Sequence, residues 1–447
     1  MTTRVSLTDP MDAAHETVEA VGRRAAYLVG GRRFETGTPA FAQAIAAAHA
    51  SHLRPRCVCL VEGVEMYVAR RAGTTEGFIV KRMPDTGSHH APDCPSYEPP
   101  PEASGLGQVL GSAINEDPAT GETTLKLDFA MSKIAGRSTV PTAGEDSDSV
   151  TSNGMKLSLR GLLHYLWDQA ELTRWHPGFA GKRSWAIVRK HLLLSAEHKI
   201  ARGSALRMRL YIPEVFSVEQ RDAINARRVA LWAQAVATPR HAQRLMVLIA
   251  EVKEIVPARY GFKAVIKHVP DQAFALDEHL YRKLGRRFEP ELALWSSADN
   301  VHMIVIATFG VSEAGIPTIS EMSLMPVTPQ WLPVENSFER RLVEHLVAEG
   351  RSFIKGLRYN LGRTQALACA TLTDASEPAP VLFVVPPAIE QTQWLHELTQ
   401  AGHDAGKVAW LWLPAVEAMP ALPERRPTGP SSRSPAAKAE RRTATIN

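Results

Sequence analysis

The chain has 447 residues, 45 % hydrophobic and 22 % charged, enough to bury cores in roughly two to four ordinary domains. Its formal net charge of +4 sits in the C-terminal end alone, where Arg425, Arg426, Arg433, Lys438, Arg441 and Arg442 face only Glu424 and Glu440. The body is therefore neutral, which excludes binding driven by bulk charge and leaves local clusters as the source of any nucleic-acid surface. The chain has no apolar run of the roughly eighteen residues that a membrane span needs. Its start, MTTRVSLTDPMDAAHETVEAV, has no signal-peptide pattern, so the expectation is a cytoplasmic protein with no membrane contact.

Helices are predicted over Met11 to Leu28 and Pro39 to His52, joined by LVGGRRFETG; Thr38 is the N-cap of the second, and Phe41, Ile45 and Ala48 share one stripe. Three of the four cysteines follow in the pattern C-x-C-x30-H-x3-C: Cys57, Cys59, His90 and Cys94. Two soft ligands on each of two turns form a Cys3His set for tetrahedral zinc, and four protein ligands make the zinc structural. Val64, Met66 and Val68 alternate, Gly73 to Gly77 turns the chain, and Phe78 to Val80 returns it, so a β-hairpin brings both half-sites together. His89 is an alternative fourth ligand, and Asp93 a weaker one. The competing readings are a disulfide, strained at one-residue separation and short-lived in a reducing compartment, or scattered buried thiols.

After Cys94, PSYEPPPEASG reads as a rigid spacer, and Ile114 to Phe129 as a second hairpin. Gly136 to Gly154 is a Ser-, Thr-, Gly- and Asp-rich linker. Between Lys156 and Arg209, eleven Lys or Arg stand against Asp168, Glu171 and Glu197. Within this block Leu159, Leu162, Leu163, Leu166 and Ala170 stripe one helix, and WHPGFAGKR breaks it. A second helix, capped by Ser184, carries Trp185, Val188, Leu192, Ala196 and Ile200, and a strand follows over Leu206 to Ile212. That order is winged-helix-like, with Lys182, Arg183, Arg189, Lys190, Arg207 and Arg209 as nucleic-acid-binding candidates; the alternative is a solvated helical pair. Ser217 to Glu254 reads as helical, broken at Thr238-Pro239, and Val301 to Ala307 with Ile316 to Met325 as a buried hairpin.

The region Phe338 to Leu413 runs helix, FIKGLRY, a strand ending at Thr373-Asp374, the strand Val381 to Val385, a helix around Trp394 to Ala401, and Val408 to Leu413. This resembles a restriction-endonuclease-like core, with Glu344 and Asp374 in two of the metal-holding places. The strand Val381 to Val385 supplies neither Glu nor Lys for the third, so the core reads as degenerate and no catalytic residue is assigned. Cys369 reads as a core thiol.

The segments RPRCVCL, FIVKRMPDTGSHHAPDCPSYEPP, GLLHYLWDQAELTRWHPGFAGKRSW, RLYIPEVF and SFERRLVEHLVAEGRSFIKGLRYNL resemble the bacterial domain-of-unknown-function 1173 family over nearly the whole chain apart from the termini and the linker. The resemblance implies a bacterial protein carried on integrative or conjugative elements. The resulting expectation is an α+β multidomain protein: 1–135 with a zinc module at 57–94, a linker at 136–154, a basic helical domain at 155–260, an α/β domain at 261–419, and a disordered basic tail at 420–447. Its expected role is that of a non-enzymatic, zinc-stabilised, DNA-binding accessory protein of a mobile element. A metal-dependent nuclease or its inactive descendant, and a protein-interaction scaffold, are the alternatives.

Overall fold

The computed structural model describes residues 25–70, 77–133, 154–385, 387 and 409–427. The linker expected at 136–154 lies outside these residues except for Gly154, as do the helix expected around Trp394 and the tail from 428 onward. The chain is a mixed α/β structure with several sheets, and among the described residues no helix is long and apolar enough to cross a membrane.

The first sheet is antiparallel throughout, in the order Arg32–Glu35, Ala26–Val29, Arg56–Cys57, Val64–Arg70, Phe78–Arg82. The last two strands are the hairpin expected between the half-sites. The helix expected over Met11 to Leu28 is instead a strand where it is described, because Gly30 and Gly31 both take positive φ (57° and 78°) and close a two-residue hairpin that pairs Ala26–Val29 with Arg32–Glu35. The helix Pro39–Ala50 forms as expected: the Thr38 hydroxyl accepts from the Phe41 N–H, and Phe41, Ile45 and Ala48 are buried on the sheet.

The second hairpin, Ile114–Glu116 with Thr123–Leu125, gains a parallel neighbour, Lys199–Ala201. The Lys199 side chain is buried, donates to Thr123 Oγ1 at 2.9 Å and lies 5.1 Å over the Tyr165 ring. Burial, and then Lys81, push its pKa down to about 8. Between that value and the unfolded value near ~10.4 the unfolded chain holds more protons, so stability rises with pH across this window. Lys199→Met is expected to remove this slope in denaturant titrations from pH 7.5 to 10; an unchanged slope would assign it to another group.

The helix Leu159–Gln169 was expected to be amphipathic, but every residue from Leu159 to Trp167 is buried. Its polar positions reach a buried turn of the C-terminal half: Arg160 donates to the carbonyls of Tyr359 and Leu361, and His164 Nδ1 accepts the Tyr359 N–H. The second helix stops at Ser195, short of the expected Ile200, because Lys199–Ala201 joins the sheet. The strand expected over Leu206 to Ile212 is a 3-10 turn at Leu206–Arg209 followed by the two-residue strand Leu210–Tyr211.

Ser217 to Glu254 was expected to be helical, but only Arg221–Trp232 forms a regular α-helix, and Met246–Pro257 is a twelve-residue strand. It lacks alternation because both faces are buried: Met246, Leu248, Ala250 and Val252 fill one core, while Val247 and Ile249 pack with the Leu159–Gln169 helix in another. It pairs with Phe262–Ile266 at one end and with His302–Val311 at the other. The order Met246–Pro257, Phe262–Ile266, Ala273–Leu276, Pro317–Val327, His302–Val311 thus returns to its first strand and closes a ring of five. The last two strands are the buried hairpin expected from the sequence.

The C-terminal sheet runs Ala409–Trp412, Val381–Val384, Ala370–Leu372, Phe353–Lys355, Arg174–Trp175, beside the helix Ser337–Ala348. Its edge strand Arg174–Trp175 comes from the basic block, and the ring begins at Met246, so pairing crosses the boundary expected near 260, while Lys199–Ala201 beside Thr123–Leu125 crosses the one near 155. The first described residues of the tail expected from Pro420 are held in the fold instead: Leu422 packs on the C-terminal core, the Pro423 carbonyl accepts from Arg351, and the Arg426 N–H donates to Asp374 O.

Candidate metal centre

Cys57 ends a central strand of the first sheet, and Cys59 follows as the chain turns, with the Gly63 N–H donating to Leu60 O. The hairpin returns the chain to a 3-10 turn, Gly87–His89, which delivers His90, and a turn closed by the Cys94 N–H on Ala91 O delivers Cys94. A further bond from the Glu98 N–H to Gly87 O and an Arg82–Glu98 ion pair close this second loop. Gly87 is required there, since an added Cβ would stand 2.7 Å from the Glu98 Cβ.

The four ligand atoms lie within 4.8 Å of one another. Cys57 Sγ is 3.7 Å from Cys94 Sγ, and His90 Nδ1 is 3.3 Å from Cys59 Sγ and 3.7 Å from Cys94 Sγ. A tetrahedral ion with bonds of about 2.3 Å to sulfur and 2.0–2.1 Å to nitrogen sets sulfur–sulfur edges of about 3.8 Å and sulfur–nitrogen edges of about 3.6 Å, which these three separations match, so the cluster could hold a metal ion. His90 is buried and His89 exposed, which makes His90 the fourth ligand of the cluster.

Backbone donors work against burial at the sulfurs, which still leaves the Cys59 thiol raised. Each sulfur faces a backbone N–H: that of Cys59 toward Cys57, of Ala91 toward Cys59, and of Ser96 toward Cys94 at 3.4 Å. Such donors stabilise negative sulfur and fix the ligand rotamers. A hydrogen bond with Cys57, set against burial and aided by His90, lowers the Cys94 thiol to about 4. Its partner Cys57 is raised in turn by that bond and by burial. Cys369 stands apart in the C-terminal core, where burial holds its thiol well above the usual range.

The module is not free-standing. Ile354 and Ala379 share its core, Arg174 donates to Tyr97 O at 2.6 Å, and Arg426 lies 3.8 Å from Asp93.

The six basic candidates separate into distinct environments. Arg183 donates to the carbonyls of Leu172, Gln330 and Arg174 and stacks over Trp175 and Phe179 at 5.5 and 5.4 Å; burial pushes its pKa down to about 10. Arg189 donates to Ile212 O at 3.0 Å and faces Glu214, and Arg207 faces Glu197 at 3.7 Å. Arg209 donates to Leu245 O and Met131 O. Lys182 is exposed, and Lys190 is partly so.

Two arginines outside the candidate set join Arg209: Arg202 and Arg244 line with it a cleft of roughly 420 Å³ that also presents Ser132 and Ser204. Among the described residues, none of the three arginines has a carboxylate within ion-pair distance and no acid lines the cleft. Sequence spacing carried no signal for this cleft, since Ser132 and Arg244 meet through the pairing of Ser132–Lys133 with Gln243–Arg244, and Arg202 is held beside them by its bonds to Leu127 O and Phe129 O.

Of the acids considered for a nuclease site, Glu344 pairs with Arg340 on its own helix at 2.7 Å, and Asp374 is held by Arg351 through both oxygens. A buried pair that the pattern did not reveal, Lys355 with Glu339 at 2.7 Å, lies under the same sheet.

No curated protein matches this chain, and no solved structure matches it. The model of a family described as protein of unknown function (DUF1173) matches residues 27–415, which covers the metal cluster, the ring and the C-terminal sheet, and the chain belongs to that family.

Proposed function

We propose that the protein is a zinc-stabilised, non-enzymatic nucleic-acid-binding accessory protein, serving a bacterial mobile element. Zinc is the ion that three thiolates and one imidazole at tetrahedral spacing favour, and four protein ligands leave it no open position for water. Its role is then to hold the two loops and the first sheet together.

The observation that carries the nucleic-acid reading is the cleft of Arg202, Arg209 and Arg244, three guanidiniums and two serines with no acid among the described lining residues; Arg202 and Arg209 also donate to backbone carbonyls, and Arg244 is the one most open to a ligand. Guanidiniums without carboxylate partners match phosphate oxygens in geometry and charge. Of the sequence candidates, Lys182 and Lys190 remain available to phosphates, whereas Arg183 works inside the fold.

The test is a salt titration of binding to a short duplex. Each lost phosphate contact should flatten the slope of log affinity against log salt by about 0.9, so Arg244→Gln is expected to flatten it by about one unit and Lys182→Gln with Lys190→Gln by about two. Arg183→Gln should leave the slope alone and cost about 1–3 kcal/mol of stability through its three carbonyls. Wild-type protein that binds no duplex at 50 mM salt would remove the reading. The nuclease alternative has less support, because Glu344 and Asp374 are already engaged by arginines.

A further inference from the structure

The ring of five strands has a specific connectivity. In chain order its strands are arranged 1-2-3-5-4 and back to 1; the third and fifth are parallel, with Ala275 opposite Thr318, and the rest antiparallel. The helices Glu278–Arg287 and Glu289–Ser296 lie between the third and fourth strands, and Leu280, Leu284 and Phe288 join the ring's interior core. A long first strand that pairs with both the second and the fourth, bulged between Val252 and Glu254, completes the pattern. This is the oligonucleotide/oligosaccharide-binding barrel, whose ligands cross strands two and three beside the loops joining strands one to two and four to five. Connectivity alone does not assign a ligand. The residues on that face do.

The loop between the first two strands carries Arg259 and Tyr260. Tyr260 is 82 % exposed, and the Arg259 guanidinium lies 5.3 Å from its ring centroid. The loop presents this ring on a rigid base: the Ala258 N–H donates to Gly261 O at 2.9 Å, and Phe262 stacks on Tyr281 at 3.5 Å. Gly261 takes φ +87°, and a Cβ there would meet Leu276 O at 2.6 Å, so the turn is closed against the third strand.

On the second strand Ala264 and Ile266 point into the core, which turns Lys263 and Val265 outward; their partners on the third strand are the small Ala275 and Ala273. The face is therefore a shallow floor under an aromatic loop. Lys253, Arg259 and Lys263 are exposed, and none is paired with a carboxylate among the described residues. Flat bases stack on exposed aromatic rings, and the cations follow the backbone.

We infer that this barrel face, led by Tyr260 with Arg259 and Lys263, binds an extended single-stranded nucleic acid. The inference rests on the nucleic-acid reading above and adds to the arginine cleft a separate single-strand site on the barrel.

The probe is a fluorescently labelled oligothymidylate of about fifteen nucleotides, within the range one such barrel accommodates. It is compared with a duplex of equal length and with an uncharged oligosaccharide, using full-length protein with matched circular dichroism. Tyr260→Ala is expected to weaken oligothymidylate binding at least tenfold and to leave duplex binding within twofold. Lys263→Gln should flatten the single-strand salt slope by about 0.7. Wild-type affinity for oligothymidylate in both variants, with duplex binding intact, would overturn the barrel site and leave the nucleic-acid reading standing. Binding of the oligosaccharide alone, or of no probe at all, would overturn both.

Discussion

Protein carrying Cys94→Ser is expected to be purified without its ion and with an N-terminal module open to protease between residues 57 and 98. Structural zinc contributes about 10–16 kcal/mol of apparent binding free energy, comparable to the whole stability of a domain at about 5–15 kcal/mol. A serine hydroxyl does not ionise near neutral pH, so the set falls to three ligands, and the N–H of Ser96 loses its sulfur acceptor. Elemental analysis should fall from about one zinc per chain to near zero. Chelator treatment of wild type should reproduce the protease pattern, and Cys369→Ser, at the thiol in the C-terminal core, should keep the ion. Full zinc content in Cys94→Ser, or equal protease resistance, would rule out the structural role. The effect should also reach the C-terminal sheet, because Ile354 and Ala379 lose the surface they pack on.

The second large effect is expected at Lys355. Its ammonium and the Glu339 carboxylate are 2.7 Å apart and almost wholly buried, and Lys355 also donates to Gly356 O. Burial opposes the charge on Lys355, but Glu339 outweighs it, and the pKa is raised. Removing one partner strands the other charge in the core, so Lys355→Ala should lose about 3–5 kcal/mol in a denaturant titration. Lys355→Met combined with Glu339→Leu removes both charges and should recover most of that loss; a double variant as unstable as the single would show that the ion pair is not the cause.

A neighbouring group sets the acid limit. Burial acts to raise the Glu335 carboxyl, but Arg358, Arg160 and Lys355 hold it well below the usual carboxylate range. A depressed carboxylate contributes stability above its unfolded value near ~4.3 and loses it as pH falls toward the folded one, so the C-terminal region should weaken below about pH 4.5.

The ligands were legible because metal coordination fixes both residue type and spacing. His90 was separated from His89 only by the 3-10 turn, which buries one and exposes the other. The hairpins were legible where one face is apolar or the run is bounded by turns. The strand Met246–Pro257 was not, since burial on both faces erased its period of two. The basic block was only partly legible for a related reason: Arg183 and Arg189 donate to carbonyls of segments distant in sequence, and a charge count does not reveal where a side chain finds its acceptors. The ring was hidden because its closure depends on the first strand pairing with the fourth, some fifty residues away.

Arg174 and Trp175 form the edge of a sheet whose next strand begins at Phe353, 178 residues after Trp175. A ribosome adding about 5–20 residues per second needs roughly 10–35 s to deliver that partner. During this interval Trp175, 2 % exposed in the finished fold, has no sheet to enter. Nascent chains should therefore hold this segment as an open hydrophobic stretch until late in translation, which makes it a natural contact for ribosome-associated holdases and the point where interrupted synthesis would first aggregate.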